Sequence, residues 1–169
     1  MTIKKILMYP DPRLLKQSVK IEKIDSKIKA IAEDLVDTMY SADGVGLAAP
    51  QIGINKRIFV MDCNDEQEKK EYVIVINPEV TSSSEELNTH KEGCLSIPEI
   101  TEEVVRPEKV HVSYQDLAGN LKTKKLEGLW ATCFQHELDH LNGKLFIDYL
   151  RPIKKALIKN KIKKLNKKR

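Results

Sequence analysis

The stretch QHELDHLNG, from Gln135 to Gly143, contains the spacing H-E-x-x-H in His136, Glu137 and His140. On a helix, residues four apart share one face, so the two imidazoles can converge on one ion. The carboxylate beside the first is then free to move protons. The plain alternative is a surface helix that happens to carry two histidines. Two imidazoles leave an ion short of ligands. One large protease group carries a third His six residues after the second, and here Phe146 stands at that place. No His, Cys or Glu follows His140. A third ligand therefore comes from upstream, or Asp148 supplies it.

Four upstream residues compete. Cys133 shares the helix, but at 1.5 Å per residue it stands about 10 Å along the axis from His140, which suits a small buried wall residue better than a ligand. Cys63 ends an apolar strand and reads the same way. His111 alternates with Val110 and Val112, which turns it to solvent. Cys94, in KEGCLSIPE, has no helical pattern around it and a glycine before it that lets backbone approach. By itself it reads by default as a buried structural thiol.

The elements that must position these residues follow from periodicity. DSKIKAIAEDLVDTMYSADG repeats apolar residues at Ile28, Ile31, Leu35 and Met39, predicting an amphipathic helix that Asp25 or Ser26 starts and Gly44 ends. DPRLLKQS suits a short turn or helix, and GVGLAAPQIG carries no regular pattern. RIFVMDC and YVIVINPEV predict buried strands joined by the polar NDEQEKKE. KVHVSYQD and LKTKKLEG predict a hairpin around LAGN. GLWATCFQHELDHLNG predicts the metal-binding helix, ending at Gly143, and residues 151–169 predict a last helix. Helices flanking antiparallel strands make an α+β fold.

The 169 residues favour one domain. With 41% hydrophobic and 32% charged residues, the composition is that of a globular protein. The apolar run Ile6 to Met8 is too short for a signal peptide, and no run approaches the roughly 20 apolar residues of a membrane helix. Three cysteines, an odd number, point to reduced thiols in a cytoplasm. The net charge of +4 hides a split: residues 151–169 hold ten Lys and Arg and no acid, which leaves 19 basic against 25 acidic residues in 1–150.

GVGLAAPQ at 44–51, EGCLS at 92–96 and QHELDHLNG together resemble the three signature stretches of bacterial peptide deformylases, in order and spacing, over most of the chain from PDPRL to KLFIDYL. That resemblance implies an α+β fold with antiparallel strands packed around a central metal-binding helix, between an N-terminal and a C-terminal helix. It implies a catalytic domain over 1–150 with 151–169 as a basic helical tail of the same domain. The implied activity is hydrolysis of the formyl group from the N-terminal formyl-methionine of new polypeptides, with zinc metallopeptidase chemistry as the alternative.

By the same resemblance, Cys94, His136 and His140 bind the metal and Glu137 is the acid/base. Gln51 and the Leu95 N–H receive the oxyanion. Gly46 contacts substrate backbone, Val45, Leu129 and Cys133 line the methionine pocket, and Glu92 belongs to the substrate-binding set. The implied metal is one Fe(II) per chain, with Zn, Ni or Co as substitutes, although two imidazoles and a thiolate also suit zinc. Implied partners are formyl-methionyl nascent peptides and, through the lysine-rich tail, the ribosome near the nascent chain's exit; DNA and membrane are not expected. The tail stripe Ile153, Leu157, Ile158, Ile162 and Leu165 is expected to dock or pack. Two departures stand out: Thr101 occupies the place of an Arg near the pocket mouth of many relatives, and Thr132 that of an aliphatic residue.

Overall fold

Asp25 accepts hydrogen bonds from the N–H groups of Lys27 and Ile28, both at 3.1 Å, and so starts α1, Ser26–Ser41. The computed structural model describes residues 2–66 and 69–168. In it α1 buries Ile28, Ala32, Leu35 and Met39, the predicted stripe with Ile31 at its half-buried margin. The helix does not end on Gly44 in the expected way. Asp43 takes the left-handed conformation, φ 55°, and Gly44 N–H closes the end on Met39 O at 3.0 Å. Gly44 also lets the Leu95 side chain lie against the backbone, since a Cβ there would meet Leu95 Cδ1 at 2.7 Å and displace it.

A five-stranded antiparallel sheet forms the centre. Its strands are β1 (Gly46–Ala48), β2 (Ile58–Met61), β3 (Val73–Ser83), β6 (Lys109–Gln115) and β7 (Leu121–Glu127), in the order β1-β2-β3-β6-β7. The predicted β6–β7 hairpin around 116–120 is present, with Gln115 opposite Leu121. All four residues of β2 are buried, which explains its unbroken apolar run. Ile58 and Val60 join the cluster beneath α1. Phe59 and Met61 join the cluster beneath α2, Gly128–Leu141. Thus α2 lies on one face of the sheet and α1 on the other, with Phe134 of α2 set edge-on against Phe59 at 5.2 Å between ring centres.

A separate two-stranded sheet pairs β4 (Leu87–Cys94) with β5 (Ile97–Pro107). Hydropathy does not reveal β4, because its one buried residue is Glu92. Beneath this hairpin lie Ile97, Ile100, Val104, Phe146 and Ile147, covered by α3, Pro152–Lys167. The tail stripe docks only in part. Ile158 and Ile162 are buried and Leu165 half-buried, whereas Ile153 and Leu157 are 80% and 64% exposed. Leu157 precedes Ile158, and one residue turns a helix by about 100°, so both cannot face the hairpin. Lys154–Glu102 and Lys155–Asp148 ion pairs, each 2.7 Å, flank the docked strip. No helix among the described residues is long and apolar enough to cross a membrane.

Candidate metal centre

One turn of α2 separates His136 from His140, and their Nε2 atoms lie 3.2 Å apart. Cys94 ends β4 at a register shift: Gly93 pairs with Thr101 but Cys94 with Ile97. Such an irregularity re-aims a side chain, and Cys94 Sγ stands 3.3 Å from His140 Nε2. The three donor atoms all lie within 4.8 Å of one another. Those separations fit a single ion with bonds of about 2.0–2.3 Å to imidazole and thiolate. The burial of His140 also favours the neutral ring a ligand must have, by lowering its pKa well below the usual histidine value.

The other candidates stand elsewhere. Cys133 Sγ donates to Val45 O at 3.5 Å, Cys63 is buried in the core beneath α2, and His111 is exposed on β6. Asp148 accepts from the N–H of Leu145 and pairs with Lys155.

All the site residues expected from sequence except His140 line one cavity of about 400 Å³. Val45, Leu129 and Cys133 give it apolar wall, and Thr101 and Thr132 also border it. Gly46 packs tightly there: a Cβ would stand 3.0 Å from both Cys133 Sγ and the Glu137 side chain, which would have to give way. Glu137 is 2% exposed, its Oε1 is 3.9 Å from His136 Nε2, and its Oε2 has no hydrogen-bond partner among the described residues. Burial, more than any neighbouring charge, pushes its pKa up to about 7. A carboxyl group so poised can both take and return a proton near neutral pH.

Gln51 sits in a 3-10 turn, Ala49–Ile52. Its Oε1 accepts from Ala48 N–H at 2.9 Å, and its Nε2 lies 3.1 Å from Ser96 Oγ and 3.5 Å from Cys94 Sγ. Leu95 occupies the two-residue turn between β4 and β5.

Glu92 borders the cavity, yet both of its oxygens are engaged behind the histidines. Oε1 lies 2.9 Å from His136 Nδ1, and Arg106 donates to Oε1 and Oε2 at 3.0 and 2.7 Å. Burial would raise the Glu92 pKa, but the hydrogen bonds with His136 and Arg106 outweigh it and hold it below the usual value. Arg106 also donates to Asp139 at 2.9 Å, and the Tyr149 hydroxyl donates to the same Asp139 oxygen at 2.8 Å. Sequence reasoning singled out neither Arg106, Asp139, Tyr149 nor Ser96. The available signal was alternation: Ile100, Val104 and Arg106 are buried on one face of β5, so the Arg continues an inward series.

Comparison with known proteins agrees with this geometry. The family model described as polypeptide deformylase matches residues 3–156. The peptide deformylase of Rhizobium meliloti is 49% identical, over 94% of this chain and 91% of that one. The crystal structure of peptide deformylase from Ehrlichia chaffeensis superposes with a TM-score of 0.93 at 38% identity, covering 99% of this chain and 98% of that chain. A peptide deformylase structure from Legionella pneumophila gives 0.90 at 44% identity, over 98% and 96%. With a model spanning nearly the whole chain and relatives at this identity, the chain belongs to the polypeptide deformylase family.

Proposed function

We propose that this chain hydrolyses N-formyl-methionyl peptides, the reaction of its family, with Cys94, His136 and His140 as metal ligands and Glu137 as the proton carrier. The observation that carries the reading is the unpartnered, buried carboxylate oxygen of Glu137 in the cavity that also receives Cys94 and His136. Cys94, His136 and His140 would hold a divalent ion, which would supply Lewis acidity and bring the pKa of water down to about 7. Glu137 accepts a proton from the attacking water and delivers it to the methionine nitrogen as the C–N bond breaks, which releases formate. Gln51 and Leu95 line the same cavity, and in this reading the Gln51 amide and the Leu95 N–H receive the charge that develops on the formyl oxygen.

Among the described residues β1 pairs with β2 alone and so forms an edge of the sheet, and its Gly46 borders the cavity. An extended peptide adds there through backbone hydrogen bonds, which suits an enzyme that meets many sequences. The opposite edge, β7, carries exposed Lys122, Lys124 and Lys125, a composition that resists strand addition. Val45, Leu129 and Cys133 receive the methionine side chain, and Glu92 serves by holding His136. Family membership disfavours the zinc metallopeptidase alternative.

The ion of this reading is Fe(II), one per chain, with Zn, Ni or Co as substitutes. Residues 1–150 form the catalytic unit and α3 a basic extension of the same domain, which meets ribosomal RNA in the cytoplasm. Formate release from formyl-Met-Ala-Ser by protein purified without oxygen, with metal analysis of the same sample, tests the reading. Absence of formate release by the metal-loaded protein would overturn it.

A further inference from the structure

Two hydrogen bonds from the N-terminal segment join the turns that carry the proposed oxyanion donors. Leu7 N–H donates to Gln51 O at 2.7 Å, and Tyr9 N–H donates to Ser96 O at 2.9 Å. The 3-10 turn of Gln51 and the hairpin turn of Leu95 and Ser96 are thereby held side by side. Between them the Gln51 and Ser96 side chains meet, 1% and 0% exposed.

A glutamine amide does not fix its own orientation. The last torsion of the side chain is broad and roughly two-fold, so the plane is set by whatever the amide bonds to. Ala48 N–H can only donate, which places Oε1 against it and leaves Nε2 on the other side. Nε2 carries two hydrogens. Ser96 Oγ, 3.1 Å away, takes one of them. With the oxygen and one N–H both anchored, the plane of the amide is set, and its second N–H points toward Cys94 Sγ, 3.5 Å from Nε2, on the side of the proposed ligands.

We infer that Ser96 is a positioning residue for the deformylation reaction: its hydroxyl accepts one Gln51 N–H and so holds the other on the Cys94 side of the cavity, where it meets the formyl oxygen as charge develops there. This rests on the proposed oxyanion role of Gln51. Ser96 itself touches no reacting atom. Removal of its hydroxyl leaves the donor in place but free to pivot, so the loss is smaller than for removing a donor outright, which costs about 10²–10³-fold in turnover.

The test is a double-mutant cycle with Gln51→Ala, Ser96→Ala and the pair, in metal-loaded full-length protein, reading kcat and KM for formyl-Met-Ala-Ser. Ser96→Ala is expected to lower kcat about tenfold with KM nearly unchanged, and to add less than about twofold in the Gln51→Ala background, the non-additivity of groups that act as a unit. A second readout needs no turnover: in zinc-loaded, nitrogen-15-labelled protein, Ser96→Ala shifts the Gln51 side-chain amide protons. Equal kcat losses in both backgrounds, no loss in Ser96→Ala, or unmoved amide signals would each overturn the inference. Parental kcat in Gln51→Ala alone instead removes the oxyanion role of Gln51, and the positioning role with it.

Discussion

Glu92 Oε1 lies 2.9 Å from Nδ1 of His136, so the ring is held through the nitrogen that faces away from His140 and Cys94. A carboxylate at Nδ1 favours the tautomer whose Nε2 lone pair is free for an ion. One buried guanidinium, Arg106, keeps that carboxylate in place and also ties Asp139 on the same helix. Glu92 and Arg106 belong to the hairpin, His136 and Asp139 to α2, so the network joins the two elements that carry the three proposed ligands.

Arg106→Leu leaves the buried Glu92 and the partly buried Asp139 without their cation, which costs on the order of 3–5 kcal/mol of stability. With Glu92 no longer held, metal affinity falls about 10–100-fold. Arg106→Lys also weakens binding, because an ammonium cannot reproduce the two-pronged contact with Glu92. Urea unfolding of the metal-free protein and competition with a chelator measure the two effects. Parental values in both for Arg106→Leu would refute the account.

Cys94→Ala abolishes stoichiometric metal binding, whereas Cys133→Ala retains it, since Cys133 Sγ faces Val45 O. Elemental analysis of both purified variants is the measurement. Full occupancy in Cys94→Ala would sink the assignment of the thiol as a ligand.

Glu137→Gln keeps the shape of the side chain but not its ability to accept a proton. Deformylation falls by about 10²–10⁴-fold while the metal content stays parental. Rates on formyl-Met-Ala-Ser at saturating substrate decide the matter, and normal turnover would leave the reaction without its proposed base.

The tail is best probed by charge rather than by truncation, because deleting residues from 160 onward would uncover the hairpin core that Ile162 seals. Lys159, Lys161, Lys163 and Lys164 are all exposed. Their joint replacement by Gln weakens ribosome association and flattens its salt dependence, since each lost phosphate contact removes a released counterion, about 0.7–0.9 in log–log slope. Tripeptide deformylation and thermal stability stay parental. Co-sedimentation with ribosomes over a salt series reads the outcome; identical binding by both proteins would reduce α3 to a structural helix.

The amino-acid sequence by itself determined what depends on near neighbours. The i, i+4 placement of His136 and His140, the stripe of α1, the apolar run of β2 and the β6–β7 hairpin all express periodicities within one element. The three signature stretches identified the family, and with it the chemistry, without any coordinates. Spacing by itself left Cys94 one of four upstream candidates and only the resemblance chose it; the tertiary structure supplies the physical reason, because Cys94 meets His140 across 46 positions only through the pairing and register shift of β4 and β5. That hairpin was invisible to hydropathy, since the inward place on β4 belongs to Glu92 and its partner is Arg106 rather than an apolar side chain. Likewise the tail was legible as an amphipathic helix, but the narrow surface of the hairpin selected Ile158 and Ile162 over Ile153 and Leu157. Helical and strand periods report which residues share a face; which face finds a partner is set by the shape and charge of what lies opposite.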